Sequence, residues 1–224
     1  VMARVVILCD GDFPKQERSL RHLREATDVV CCDASIVKLT AYYGTERLEE
    51  LPHKVHIVGD MDSLDAYHKR LYADYIHTVS EQETNDQTKA FHFALTLSPQ
   101  SIIILGASGR RDDHTIANAS LLADYAEELE QLQRKVELKA VNDYGTFIPI
   151  LKSSAIECLK GCEVSIFSFD PTLQIKSEGL LYQVAGTKLD MWWRATLNIA
   201  LSNSFSLEFS HRAKVLLFIS AEQR

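Results

Sequence analysis

The sequence predicts an α/β domain, a mostly parallel sheet with helices on both faces, followed by an antiparallel β-sandwich or barrel. Three observations predict it. Up to about residue 133, β-rich runs alternate with stretches of helical period, and beyond Arg134 short strand-like runs take over. The 224 residues also suffice for one large domain or two modest ones, each with a buried core.

In the first part, residues 4–9, 29–32, 54–58, 75–79 and 101–105 read as strands. A helix opening near Asp86 carries Ala90, Phe93, Ala94 and Leu97 on one face. Another after His114 carries Ile116, Ala119, Leu122, Ala126, Leu129 and Leu132 at the same i, i+3/i+4 spacing. Alternation of this kind makes a Rossmann-like parallel sheet wrapped by helices. In the second part, residues 135–141, 145–151, 164–169, 180–184, 204–209 and 214–220 read as strands, parted by turn residues such as Asn142-Asp143 and Asp170-Pro171. The expected domains are 1–134 and 135–224, with no internal repeat and no low-complexity tract.

Composition excludes several classes. Apolar residues make up 46% of the chain and charged residues 25%, and no apolar run approaches the length of a membrane span. With 24 basic against 31 acidic residues the net charge is −7, a field that repels nucleic acid and anionic membranes. A soluble, cytoplasmic protein is expected, since the run 5–9 is too short for a secretory segment and Val1 ahead of Met2 reads as a cloning remnant. The five cysteines read as reduced, mostly buried thiols, and a zinc site joining them to His53 and His56 is not expected.

Four loops carry the candidate chemistry. Residues 55–59 run into Gly59-Asp60-Met61-Asp62-Ser63, and alternate residues of an extended segment point the same way, so Asp60 and Asp62 can share one side at the carboxyl end of a parallel strand. Two hard oxygen ligands there suit Mg²⁺ carrying phosphates. The alternative is a helix-capping turn with Asp62 or Ser63 as the cap. Residues 101–105 run into Gly106-Ala107-Ser108-Gly109-Arg110-Arg111-Asp112-Asp113-His114, where glycines, a helix start and arginines outline an anion site. It is neither a Walker A loop nor a dinucleotide fingerprint. The alternative pairs Arg110 and Arg111 with Asp112 and Asp113 and gives His114 a local backbone bond. Residues 81–86 form a third loop, in which Asp86 is a ligand or a helix cap, and Asp33 follows the strand 29–32 in the same way. Four strands each ending in an aspartate at one edge form the signal.

These motifs, in this order, resemble the thiamine pyrophosphokinase family. Residues 32–39, Cys-Asp-Ala-Ser-Ile-Val-Lys-Leu, resemble its Ala-Asp-Gly-Gly-Ala-Asn-Arg-Leu, and residues 59–63 match its Gly-Asp-x-Asp-Ser. Residues 85–90 resemble Thr-Asp-x-x-Lys-Ala, and 106–118 are similar to Gly-Ala-Thr-Gly-Gly-Arg-x-Asp-His-Thr-x-Ala-Asn. Farther on, 179–182 resemble Gly-Leu-Lys-Trp, and 201–204 a downstream Ser-Asn segment. The pattern departs at Ala34, Ser35 and Val37, at Arg110 in place of glycine, and at Tyr182 in place of tryptophan.

The resemblance implies a homodimer that moves pyrophosphate from ATP to the hydroxyl of thiamine and releases AMP. It implies that Asp60, Asp62 and Asp86 hold Mg²⁺, that Arg111 faces phosphate and that Asp113 supports the cluster. Asp33, Gly59, Ser63, Lys89, Gly106, Gly109 and His114 would line ATP, and Gln82, Tyr182, Ser202 and Asn203 would meet thiamine. Asp86 is the residue expected to accept or orient the alcohol proton. Two rival readings are a metal-dependent phosphate-ester hydrolase using the same aspartates and a non-catalytic sensor of thiamine or nucleotide.

Overall fold

The computed structural model describes residues 3–223; Val1 and Met2 of the first expected domain and Arg224 of the second lie outside them. The chain forms two compact units. One holds the residues up to Asn118 with 135–137 and 141–143, and the other holds 119–134, 138–140 and everything from Tyr144 on.

The first unit follows the expected alternation: β1 (Ala3–Leu8), α1 (Glu17–Arg24), β2 (Asp28–Cys32), α2 (Ser35–Tyr43), β3 (Lys54–Gly59), α3 (Ala66–Leu71), β4 (Ile76–Thr78), α4 (Asp86–Thr96) and β5 (Pro99–Leu105). A long helix α5 (Asp112–Gln131) leads out of it, followed by β6 (Glu137–Val141). The five strands β1 to β5 are parallel in the order β5-β1-β2-β3-β4. Strand order therefore reverses at β1, and the gap between the loops after β1 and β5 is where such sheets admit ligands.

Why these runs make buried strands follows from their residues. Val5, Val6 and Ile7, Val29 and Val30, and Ile102, Ile103 and Ile104 are β-branched, and a parallel strand covered on both faces has no solvent side to vary. Val6, Leu8, Val29, Cys31, Ile57 and Leu105 pack on one face with Leu23 of α1 and Ile36 and Leu39 of α2. Their neighbours Val5, Ile7, Val30 and Ile104 are fully buried on the other, where α4 crosses the sheet. Each such side chain contributes about 2 kcal/mol of transfer free energy before ordering entropy is subtracted.

Two expectations need correction. The strand expected over 75–79 shortens to β4, because Tyr75 closes a 3-10 turn over Ala73–Tyr75. The helix after the Asp60 loop starts at Ala66, and its cap is Asp65, whose carboxylate accepts the Tyr67 and His68 N–H groups. Asp62 and Ser63 are thus not caps.

The second unit is a β-sandwich. One antiparallel sheet joins β7 (Gly145–Ile150), β9 (Cys162–Ser168), β12 (Asn198–Ile199) and β14 (Val215–Gln223). The other joins β8 (Ser154–Glu157), β10 (Gln174–Glu178), β11 (Ala185–Lys188) and β13 (Ser204–Phe209). Val164, Ile166, Val215 and Leu217 of the first meet Ile175, Phe205 and Leu207 of the second in one core. The strand expected over 180–184 is absent: Gly179 takes φ +83°, Leu180 makes a single bridge to Ala200, and the pairing passes instead to β10 and β11.

The turn Asp170-Pro171 ties down one end of this sandwich. Asp170 Oδ1 accepts from the Thr172 hydroxyl at 2.6 Å, and Asp170 Oδ2 lies 2.8 Å from His211 Nε2. The Thr172 hydroxyl and then His211 push the Asp170 carboxyl down to about 2. A folded-state value below that of the unfolded chain gives stability that is present above roughly pH 4 and lost as pH falls through about 2. The urea midpoint of Asp170→Asn should therefore lie below wild type at pH 7, with the gap closing on acidification. A gap that is constant with pH would dissociate the carboxylate from this role.

Candidate active site

The loops after β1, β2 and β5 and the start of α4 enclose a cleft of about 320 Å³ at the carboxyl edge of the first unit's sheet. Asp33, Ser63, Asp86, Gly106, Gly109, Arg111 and His114 are among the residues lining it.

Backbone chemistry builds the rim. Cys9 N–H bonds the Leu105 carbonyl, Gly11 N–H that of Gly106 and Asp12 N–H that of Ser108, each at 2.8 Å, so two loops far apart in sequence are zipped together. They approach that closely only because glycines face each other. A Cβ on Gly11 would collide with the carbonyls of Gly106 and Ser108, and one on Gly106 would lie 2.5 Å from the Cys9 carbonyl oxygen. Gly106 also holds φ +68°, which glycine alone adopts freely.

The acids gather from three strands. Asp33 follows β2 in a left-handed conformation, φ +44°. Its Oδ2 accepts the Ser63 N–H at 3.0 Å, while its Oδ1 is buried with no hydrogen-bond partner. Asp33 and Asp86 flank Gly59, whose missing side chain leaves them room. Asp60 accepts from the Asp62 N–H at 3.0 Å and from Gln82 Nε2 at 3.1 Å. Lys89, whose side chain is only 2% exposed, sets its Nζ 3.6 Å from both Asp60 Oδ2 and Asp86 Oδ1. α4 makes this possible, since residues 86 and 89 share a face and Asn85, not Asp86, is the helix cap, accepting the Thr88 N–H.

The charges are unequally matched. The Asp62 N–H, Gln82 and Lys89 hold the Asp60 carboxyl below its usual range. Burial pushes that of Asp86 up; Lys89 opposes this, and the charges of Asp33 and Asp60 add to it. Two carboxylates thus share one ammonium, with the charge of Asp33 close by. The orphaned Asp33 oxygen and the strained Asp86 charge fit a divalent cation that prefers hard oxygens. Among the described residues no three His, Cys, Asp or Glu side chains converge as a ready-made metal cage. Magnesium needs only one or two carboxylates when phosphate and water complete its shell.

Asp62 is exposed and joins the group through its backbone. On the opposite rim Arg111 pairs with Asp113 at 2.5 Å, which raises the arginine and lowers the acid. Arg110 does not pair with Asp112 or Asp113, as one expectation had it, but with Asp10 at 2.7 Å. Asp10 and Gly11 are cleft residues that the sequence reading passed over, although they follow the strand 4–9 just as the other acids follow theirs.

The remaining candidates lie in the second unit. Tyr182 is 65% exposed, and Asn198 clamps its backbone by accepting the Tyr182 N–H at 3.0 Å and donating to its carbonyl at 2.6 Å. Asn203 Oδ1 accepts the Lys160 N–H, and the Ser202 hydroxyl donates to the Ser204 carbonyl. Trp192 and Trp193, in a 3-10 turn over Trp192–Ala195, are also largely exposed and add an aromatic surface that the sequence reading did not select.

Fold and cleft together define an open α/β protein with a charged ligand site at the carboxyl edge of its sheet, joined to a β-sandwich unit. Residues 20–134 match the thiamin pyrophosphokinase catalytic domain, and residues 145–218 match the thiamin pyrophosphokinase substrate-binding domain. The chain belongs to the thiamin pyrophosphokinase family. No curated protein sequence matches it. Among solved structures, thiamin pyrophosphokinase from Candida albicans is 17% identical with a TM-score of 0.77, over 97% of this chain and 89% of that one. The enzyme from Geobacillus thermodenitrificans is 19% identical with a TM-score of 0.72, over 97% of both chains. A family protein from Enterococcus faecalis is 16% identical with a TM-score of 0.75, over 99% of this chain and 100% of that one. At these identities the likeness is one of fold. No helix among the described residues is long and apolar enough to cross a membrane.

Proposed function

We propose that this chain is a cytoplasmic, homodimeric thiamin pyrophosphokinase that moves the pyrophosphoryl group of ATP to the hydroxyl of thiamine with Mg²⁺. One observation supports the reading beyond the family match: Asp33 and Asp86 line the same cleft as the arginine-bearing glycine loop, and Lys89 ties Asp60, outside the lining, to Asp86. In this reading residues 1–134 supply the nucleotide and metal side, and 135–224 supply thiamine recognition and the dimer contact.

Asp60 and Asp86 would hold Mg²⁺, with Asp33 beside Gly59 next to Asp86 and Asp62 joined to Asp60 through its N–H. A divalent cation held there would supply neutralisation of phosphate charge. The protein's own task is alignment: nucleophile oxygen, β-phosphorus and departing AMP must lie in line. Gly106 and Gly109 let backbone approach the nucleotide, Ser63 and His114 border it, and Arg111 leaves Asp113 to meet phosphate. Lys89 keeps Asp60 and Asp86 close without the ion. Asp86, whose carboxyl is already raised by burial, is suited to accept the alcohol proton. Thiamine's cationic ring suits the exposed Tyr182 face, with Ser202 and Asn203 as polar partners in the same unit.

The test is mass spectrometry of purified protein with ATP, Mg²⁺ and thiamine. AMP and thiamin diphosphate should rise one for one and neither should form without thiamine; AMP or phosphate release independent of thiamine would overturn the reading in favour of a hydrolase. Tyr182→Ala should raise the thiamine KM about tenfold, at the scale of a lost aromatic contact to a cation, and leave the ATP KM in place. A change confined to ATP would put the ring elsewhere.

A further inference from the structure

Asp10, Lys38 and Arg110 form a charged cluster that the reaction scheme leaves unused. Lys38 Nζ bonds the carbonyls of Asp10 at 2.7 Å and Gly11 at 2.5 Å and pairs with Asp10 Oδ1 at 2.8 Å. Two hydrogen bonds and an ion pair thereby hold the loop after β1 and one oxygen of the Asp10 carboxylate. The other oxygen, Oδ2, takes Arg110 Nη1 at 2.7 Å, and the same nitrogen reaches the Asp10 carbonyl at 3.0 Å. Arg110 therefore hangs on a single nitrogen. Its Nε and Nη2 make no hydrogen bond among the described residues, its side chain is 59% exposed, and it lines the cleft beside Arg111.

The backbone at this point is unusual for an arginine. Arg110 holds φ +64°, a conformation that glycine adopts freely, and glycine is the residue that the family pattern carries here. A side chain kept at a position of backbone strain, tethered at one end and bare along an edge, is placed for a second anion.

The geometry points to Arg110 as an additional phosphate-contacting residue particular to this chain, gripping the polyphosphate tail of the nucleotide through Nε and Nη2, with Asp10 as its positioning residue. The inference rests on the nucleotide reading above and deepens it. Arg111 must part from Asp113 to bind phosphate, whereas Arg110 can bind while still tethered, because a guanidinium offers five N–H donors. Lys38 contributes by immobilising Asp10.

The probe is inorganic tripolyphosphate, titrated calorimetrically into the full-length protein, alongside steady-state kinetics with ATP and thiamine. Arg110→Gly should fold at least as well as wild type, since glycine relieves the φ strain. Its tripolyphosphate Kd and its ATP KM should rise about tenfold, the scale of a charge-assisted bidentate contact, while the thiamine KM stays fixed. Asp10→Asn should weaken tripolyphosphate by a smaller factor, about threefold, and add nothing on top of Arg110→Gly, because the two act as one unit. Equal tripolyphosphate affinity in wild type and Arg110→Gly, or an Asp10→Asn effect that persists without Arg110, would overturn the assignment, as would a wild type that does not bind the anion. The underlying reading fails separately: a wild type that binds tripolyphosphate through Arg110 yet makes no thiamin diphosphate keeps the anion site and loses the kinase.

Discussion

Asp86→Asn should cut turnover about a thousandfold, because it removes both a hard ligand and the proposed proton acceptor from the reacting centre. The same substitution should not cost stability. Asp86 is a half-buried carboxylate whose folded-state value lies above its ordinary one, so the protein binds its proton more tightly folded than unfolded. The sign follows from linkage: such a group contributes stability at low pH, and that contribution is lost as pH rises through the folded-state value. At neutral pH the ionised Asp86 is a burden, and asparagine relieves it. Thermal unfolding without ligands at pH 7 should show Tm unchanged or raised in the variant, and the advantage should shrink toward pH 4. A variant that loses activity and Tm together would mean that Asp86 serves the fold rather than the chemistry.

Gly106→Ala should be a severely damaging single methyl in the cleft. The new Cβ would meet the Cys9 carbonyl at 2.5 Å in a backbone already at φ +68°, so the two zipped loops must separate. Strain and clash together are expected to cost about 2 to 3 kcal/mol, read as a lower urea midpoint at constant m-value. Gly44 is the internal control. It ends α2 at φ +70° with nothing within 4 Å of an added Cβ, so Gly44→Ala carries conformational strain alone, about 1 kcal/mol. Gly106→Ala should also lose activity, because the loop bearing Arg110 and Arg111 moves, and Gly44→Ala should not. Equal losses of stability at the two positions would show that the loops can part at no cost.

The strands of the first unit were legible in the sequence for a physical reason: a strand buried on both faces must be apolar along its length, and β-branched runs such as 102–104 leave little else to form. Edge strands and strands with one solvent-facing side escape that constraint. β4 keeps only three residues, and β10 and β11, with Lys176, Glu178 and Lys188 facing solvent, do not stand out as strands by hydrophobicity. The run 180–184 looked more strand-like than either, but a left-handed glycine at 179 turns the chain away. In the cleft, aspartates that follow strands could be read one by one, since each sits at a local transition. What joins them could not be. The Lys89 bridge depends on the position of α4 over β3, and the Asp10–Arg110 pair spans 100 residues and exists only because strand order reverses at β1.

The central claim is that carboxylates distant in sequence create one divalent-cation site that is completed by nucleotide phosphate. Manganese, a paramagnetic stand-in for magnesium, tests it most directly, by the loss of the free-ion electron paramagnetic resonance signal on titration with a non-hydrolysable ATP analogue. Wild-type protein should bind Mn²⁺ tightly only when the analogue is present, and Asp60→Asn/Asp86→Asn should bind neither more tightly than the analogue alone does. Undiminished Mn²⁺ binding by the double variant, with the analogue present, would contradict the account.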